Sequence, residues 1–192
     1  MAGEPNPFAT RYIRPGAVSF LFEPGESTAE ILQRLARQGW WGQIVGPHGS
    51  GKSTLLAGLL PSLTAAGRTP CMLTLRQGER QLPPLDVALT ASVQLVVDGF
   101  EQLSWFSRHR LRARCRRAGA GLLVTAHRDM GLPTVFSTRP SERLASAVVA
   151  KLLPTDQTAI RDEDIRSAYA ATGGNIRETL FRLYDVYERA GS

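Results

Sequence analysis

Lysine is nearly missing from this sequence: among 23 basic residues only Lys52 and Lys151 are lysines, and the rest are arginines. Two cysteines, Cys71 and Cys115, are too few for a disulfide framework and stand at no metal-ligand spacing. Long apolar runs are absent too; none approaches the roughly 18–20 residues that cross a bilayer. The opening MAGEPNPFATRY has no apolar core of the kind a secretory signal carries. Internal repeats and low-complexity segments do not occur, so solenoid and tail-like architectures are set aside. The expectation from these absences is a soluble, cytoplasmic protein without a membrane partner.

What remains is an ordinary globular composition. The 192 residues are 43% hydrophobic, enough for one α/β domain with a buried core and at most a small appendage. The net charge of +6 suits a nucleic-acid partner, and equally a nucleotide site and nothing more.

Residues 1–26 carry Pro5, Pro7, Pro15 and Pro24 with Gly16 and Gly25, which predicts an extended N-terminal arm. Ser27-Thr28-Ala29-Glu30 matches a capping box and opens a helix with Ile31, Leu32 and Leu35 on one face, ending near Gly39. Trp40–Val45 reads as a first core strand. Lys52–Ala66 reads as a leucine-rich helix, with Pro61 expected to kink it and Gly67 to end it. Four more strand-length apolar runs follow at Cys71–Leu75, Gln94–Asp98, Gly121–Thr125 and Leu132–Phe136. Their alternation with helical patterns predicts a mostly parallel five-stranded sheet covered by helices. The tail reads as three helices, Ser141–Leu153, Asp162–Ala171 and Asn175–Ala190, broken at Pro154 and at Gly173-Gly174.

Between the first strand and the leucine-rich helix lies Gly46-Pro47-His48-Gly49-Ser50-Gly51-Lys52-Ser53, which fits G-x-x-x-x-G-K-[ST] at every position. Glycines let successive backbone N–H groups turn inward around an anionic phosphate at the positive end of the following helix. Lys52 supplies a mobile point charge for the terminal phosphates, and Ser53, with Thr54 beside it, offers a hydroxyl to Mg2+.

A second piece agrees. Leu95-Val96-Val97-Asp98 is an apolar strand ending in a carboxylate, the pattern whose aspartate holds magnesium in such proteins. Glu101, three residues on, is the candidate general base. A third strand, Leu122–Thr125, ends in Ala126-His127-Arg128. Thr125 is the first candidate for a residue sensing the γ-phosphate and His127 the second; satisfied hydrogen bonding at a strand end is the other reading of each.

Arg177 stands in the first turn of the last helix, where a cation opposes the helix dipole and so wants a partner. Phosphate and the carboxylates of Glu178, Asp162 and Asp164 are all eligible. The densest charge cluster is Arg108, Arg110, Arg112, Arg114, Arg116 and Arg117, with Leu103, Phe106, Arg110, Arg114 and Arg117 tracing one helix side. A solvated helix covering the sheet and a contact to a nucleic-acid backbone are the two readings. Trp40 and Trp41 belong in the core, at its edge, or beside an adenine.

Together these pieces resemble the AAA-type ATPases and their signal-transduction relatives, P-loop NTPases with an extra strand between the phosphate-loop strand and the magnesium strand. The resemblance spans residues 46–177. It implies an ATPase using ATP and Mg2+, with a core over 27–139 and a small helical lid over 140–192. It implies that Arg177 reaches the γ-phosphate from that lid and that Tyr12 and Ile13 lie near the base. It also implies turnover that switches a conformation or remodels a protein or nucleic-acid partner; a nucleotide-gated switch with slow hydrolysis and a small-molecule kinase are the alternatives. Three departures stand out. Asp98 and Glu101 are not adjacent, the stretch after Arg128 has no room for an arginine-finger helix, and the tail has three helices where a full lid has four. Ring assembly is accordingly not implied. Transporter ATPases share the phosphate loop, but no Leu-Ser-Gly-Gly-Gln follows, and no Asn-Lys-x-Asp motif for guanine occurs.

Overall fold

A computed structural model describes residues 6–153 and 160–190; Pro154, expected as a helix break, lies outside the described residues. The order of elements is α1 (Thr10–Ile13), α2 (Thr28–Arg37), β1 (Trp41–Val45), α3 (Lys52–Ala65), β2 (Thr69–Thr74), β3 (Val93–Asp98), α4 (Trp105–Ala118), β4 (Gly121–Ala126), β5 (Thr134–Ser137), α5 (Glu142–Leu152), α6 (Asp162–Ala171) and α7 (Ile176–Ala190). The five strands form one sheet in the order β2-β3-β4-β1-β5, and every pairing is parallel. The fold is therefore α/β with a five-stranded parallel sheet flanked by helices. No helix among the described residues is long and apolar enough to cross a membrane.

By contacts the chain divides into two compact units. One comprises Met1–Leu21, Pro47–Leu55 and Arg139–Ser192; the other comprises Phe22–Gly46 and Leu56–Thr138. The second holds the whole sheet. All six residues of β4 and the first five of β3 are buried, as continuous apolar runs covered on both faces must be. Leu95, Val97, Leu122 and Val124 pack with Phe100, Leu103, Leu111 and Cys115 of the α4 side. The α4 helix is started by Ser104, whose hydroxyl accepts the Ser107 amide at 3.2 Å, and stopped by Gly119 in the left-handed region.

Two strand expectations shift for physical reasons. The run Leu132–Phe136 begins its strand only at Thr134, because Pro133 has no N–H for a ladder; its carbonyl instead accepts from the Gln43 amide at 2.9 Å. Cys71, expected in a buried strand, is half-buried because β2 is an edge strand that alternates in exposure. The helix α3 runs unbroken through Pro61 and buries Leu55, Leu56, Leu59 and Leu63. Trp41 lies at the core edge, its indole N–H donating to the Ala120 carbonyl at 3.1 Å and its ring under Arg116; Trp40 sits under Arg68.

Gln43, fully buried in β1, satisfies all its polar atoms. Its amide donates to Asp129 at 2.7 Å and Thr134 at 2.9 Å, and its carbonyl accepts the Met130 amide at 2.8 Å. The first of these bonds, with the Gly131 amide, holds the Asp129 carboxyl below the ordinary carboxylate range.

In the first unit the helical expectation for residues 142–152, 162–171 and 176–190 holds. Phe8, Val149, Ile165, Leu180 and Leu183 make its core, with Phe8 edge-on to Tyr187 at 6.1 Å. The stretch expected as an extended arm thus carries a one-turn helix, α1, and a fully buried aromatic ring.

Cys115 yields a first prediction. Burial pushes its thiol up to about 11. Its proton is held in the folded state and released at lower pH in the unfolded chain. That contribution to stability is intact below pH 9 and is lost as pH climbs toward 11. Iodoacetamide at mildly alkaline pH is expected to label Cys71 and spare Cys115 until denaturant is added, as read by peptide mass spectrometry; labelling of both in the native chain would contradict this burial.

Candidate functional site

The phosphate-loop motif leads from β1 into α3. Gly46 is buried at the end of β1, and no space stands over it: a Cβ there would come within 1.9 Å of Thr138 Oγ1. Residues 47–55 belong to the helical unit. Gly49 and Gly51 adopt φ of 67° and 88°, values that side-chain-bearing residues disfavour. Pro47 and His48 are exposed, Ser50 and Lys52 are buried, and Ser53 and Thr54 are half-buried. Lys52 Nζ donates to the Pro47 carbonyl at 2.7 Å, and Ser50 Oγ donates to the same oxygen at 2.8 Å. A buried ammonium demands such acceptors. The first turn of α3 contains no acidic residue, so no carboxylate of its own competes for the positive helix end.

The N-terminus of α7 lies against this loop within the same unit. Asn175 caps α7, its Oδ1 accepting the Glu178 amide at 3.1 Å, and that same oxygen sits where a Cβ on Gly49 would be, 1.7 Å away. From its sequence Asn175 reads as a turn and cap residue, and the cap is present; the contact with Gly49 is not legible there, the only signal being the Gly173-Gly174-Asn175 string itself. Gly49→Ala is expected to cost about 1–3 kcal/mol, from a strained φ and from displacement of the cap. A melting temperature equal to that of the parent would contradict the contact.

Arg177, in the first turn of α7, is exposed, and its guanidinium lies 5.7 Å from the Phe181 ring centroid. None of the three carboxylates considered for it pairs with it; Asp164 pairs with Arg161 at 3.5 Å. Ile13 packs on the helical core, and Tyr12 is exposed with Arg11 stacked 4.7 Å from its ring centre.

The sheet unit brings the remaining candidates together at the carboxyl ends of β3 and β4. Thr125 Oγ1 donates to Asp98 Oδ1 at 2.5 Å and accepts the Gly99 amide at 2.9 Å. Its single donor is thereby used on Asp98, and its effect is to fix that carboxylate's direction. Gly99, at φ 81°, turns the chain into a 3-10 turn over Phe100–Gln102 that carries Glu101. Glu101 Oε1 lies 2.9 Å from His127 Nε2, and His127 Nδ1 lies 3.3 Å from the Gly46 carbonyl. Both ring nitrogens of His127 thus face oxygens that accept. The second Glu101 oxygen is buried and has no hydrogen-bond partner among the described residues.

In the helical unit the loop amides from His48 onward and the Lys52 ammonium suit phosphate oxygens, and the Ser53 hydroxyl is a hard oxygen donor; in the sheet unit the Asp98 carboxylate is another hard oxygen donor. Among the described residues no three His, Cys, Asp or Glu side chains cluster to cage a metal by themselves.

No protein-family model matches the chain, and no curated protein matches it. Among solved structures, PCH-2 of C. elegans is similar at 11% sequence identity and a TM-score of 0.41. The match covers 84% of this chain and 66% of that one, so this chain spans just under two thirds of the PCH-2 chain.

Proposed function

We propose that this chain binds ATP with Mg2+ and hydrolyses it, using turnover to switch its own conformation or to remodel a partner. The observation that carries the proposal is the loop between β1 and α3. A complete phosphate-loop motif there has left-handed glycines at 49 and 51 and a buried lysine already held on a loop carbonyl.

In this reading the amides of residues 48–53 and the Lys52 ammonium bind the β- and γ-phosphates, with Gly46 and Pro47 shaping the approach. Ser53, in the helical unit, and Asp98, in the sheet unit, are the oxygen donors available to magnesium, which would neutralise phosphate charge when bound. Thr125 fixes Asp98, and Glu101, held by His127, accepts the proton of the attacking water. Arg177 of the helical lid is available to the γ-phosphate, and Tyr12 and Ile13 to the base.

The test is titration calorimetry and thermal melting with millimolar ATP and magnesium. A ligand at about a hundred times its dissociation constant stabilises by about 2.7 kcal/mol, so a clear upward shift in melting temperature is expected. Absence of both heat and shift in folded protein would overturn the proposal. The pairing of Glu101 with His127 favours one second reading, a nucleotide-gated switch whose base is engaged until a partner acts. Single-turnover hydrolysis separates the two: a rate at the level of the uncatalysed reaction without a partner selects the switch.

A further inference from the structure

The α4 helix has no role in the nucleotide reading, and its surface is unusual. It contains six arginines and no acidic residue, and none of those arginines has a carboxylate partner among the described residues. They separate into two sets. Arg108, Arg112 and Arg116, spaced by four, engage neighbouring groups: Arg108 reaches Met130 Sδ at 3.1 Å, Arg112 donates to the Met130 carbonyl and lies over Phe100, and Arg116, itself exposed, lies over Trp41. Burial, then the charges of Arg108 and Arg116, lowers the guanidinium pKa of Arg112, the mark of cations packed without counter-charge. Arg110 and Arg117 are exposed and Arg114 half-buried, and Arg114 and Arg117 line a cavity of about 320 Å3 with Val87, Ala88 and Leu89.

At the amino end of the same helix two large rings stand in solvent. Trp105 is 72% exposed and Phe106 66% exposed, far above every other exposed large apolar side chain described. Trp105 is stacked on His109, centroids 5.7 Å apart and planes 18° apart, giving a flat, pre-ordered aromatic surface. The segment holding exposed Arg80 is tied to this end, its carbonyl accepting from the Ser104 amide and the Ser107 hydroxyl, both at 3.0 Å.

We propose that α4 binds single-stranded nucleic acid, bases stacking on Trp105 and Phe106 and the phosphate backbone following Arg110, Arg114 and Arg117. Phe106 lies on the helix side of Arg110, Arg114 and Arg117, and Trp105 on the neighbouring side with His109; exposed rings and guanidinium groups on one helix are the two elements that sequence-tolerant single-strand binding needs. An apolar protein partner is the poorer fit: hot-spot rings sit among further apolar contacts that exclude water, whereas Trp105 stacks on His109 and Phe106 is followed one turn on by Arg110. The helix is about 21 Å long, room for a few nucleotides.

The experiment uses the full chain and fluorescence anisotropy with three labelled probes: an oligothymidylate and an oligouridylate of about twenty nucleotides, long enough for the site sizes such proteins use, and a poly-glutamate peptide of similar charge. Both oligonucleotides should bind, or one preferentially, and poly-glutamate should bind markedly more weakly. Trp105→Ala with Phe106→Ala is expected to weaken oligonucleotide binding at least about tenfold at fixed salt, and Trp105→Tyr to restore much of it. Arg110→Gln, Arg114→Gln and Arg117→Gln together should reduce the slope of log affinity against log salt by about two. In the parent chain tryptophan emission should fall on oligonucleotide addition, and Trp105→Phe should remove that response. The proposal is overturned if neither oligonucleotide binds, if poly-glutamate binds as tightly as they do, or if the ring variant binds like the parent. Because the rings are exposed, unchanged melting curves are expected for all of these variants. None of these readouts depends on ATP, so the result stands or falls apart from the nucleotide reading.

Discussion

Lys52→Ala is expected to weaken ATP binding at least about thirtyfold, read by calorimetry as disappearance of the binding heat at millimolar nucleotide. The expectation follows from where the ammonium is. Lys52 is 7% exposed and bonded to the Pro47 carbonyl at 2.7 Å, so its desolvation is already met in the free protein. A phosphate oxygen replacing that carbonyl gains a charge-assisted bond without further burial of the cation. Truncating one side of a buried, hydrogen-bonded charge pair costs about 2–5 kcal/mol, or about thirtyfold to several thousandfold. The fold should survive, because Ser50 Oγ still serves the Pro47 carbonyl at 2.8 Å. The diagnostic outcome is therefore a variant that melts within a few degrees of the parent and no longer shifts with ATP. Lys52→Arg should rescue only in part, since a planar fork does not reproduce a compact, mobile point charge. Parent-like affinity in Lys52→Ala would remove the phosphate-loop reading altogether.

The parts of this protein that were legible in its sequence are those in which local chemistry dictates local geometry. A strand of Leu95-Val96-Val97 buried on both faces, a helix opened by Ser27 and another by Ser141, and a glycine string that must take positive φ all announce themselves by residue type. The parallel sheet followed from the alternation of such segments. Less legible was anything that depended on a neighbour distant in the chain. Cys71 reads as a core residue from its flanks, yet lies on an edge strand, and edge position is decided by which strands pair, not by the strand's own composition. Phe8 lies in a proline-rich stretch, but its ring is an anchor of the helical core beside Tyr187. Asn175 reads as a cap, and it is one; its fit over Gly49 is a contact across more than a hundred residues. Thr125 was singled out for its place at a strand end. The geometry adds what no spacing could reveal, that its only proton goes to Asp98. The exposed rings of Trp105 and Phe106 followed the same pattern, since helical periodicity places them on a face without saying what covers it.

Glu101→Gln is expected to leave ATP affinity within about twofold of the parent and to slow turnover by about a hundredfold to ten-thousandfold, the range that a positioned general base supplies. Glutamine keeps the shape and can still accept from His127 Nε2, so the 2.9 Å contact and the 3-10 turn over Phe100–Gln102 should persist. What it cannot do is take a proton from water. The second Glu101 oxygen is the atom on which this turns: buried, without a hydrogen-bond partner among the described residues, and on the same carbon as the oxygen that His127 holds. If His127 positions the base and does not itself react, His127→Ala should lower turnover less than Glu101→Gln, and His127→Gln, which can donate to the same oxygen, should recover part of the loss. Two alternatives give different numbers. A switch whose base is engaged by His127 until a partner acts would show His127→Ala turning over faster than the parent in the absence of any partner. A protein in which Glu101 has only a structural task would show Glu101→Gln hydrolysing ATP at the parent rate with the same melting temperature, and the carboxylate would then have to be dropped from the reaction even if the phosphate loop binds nucleotide as proposed.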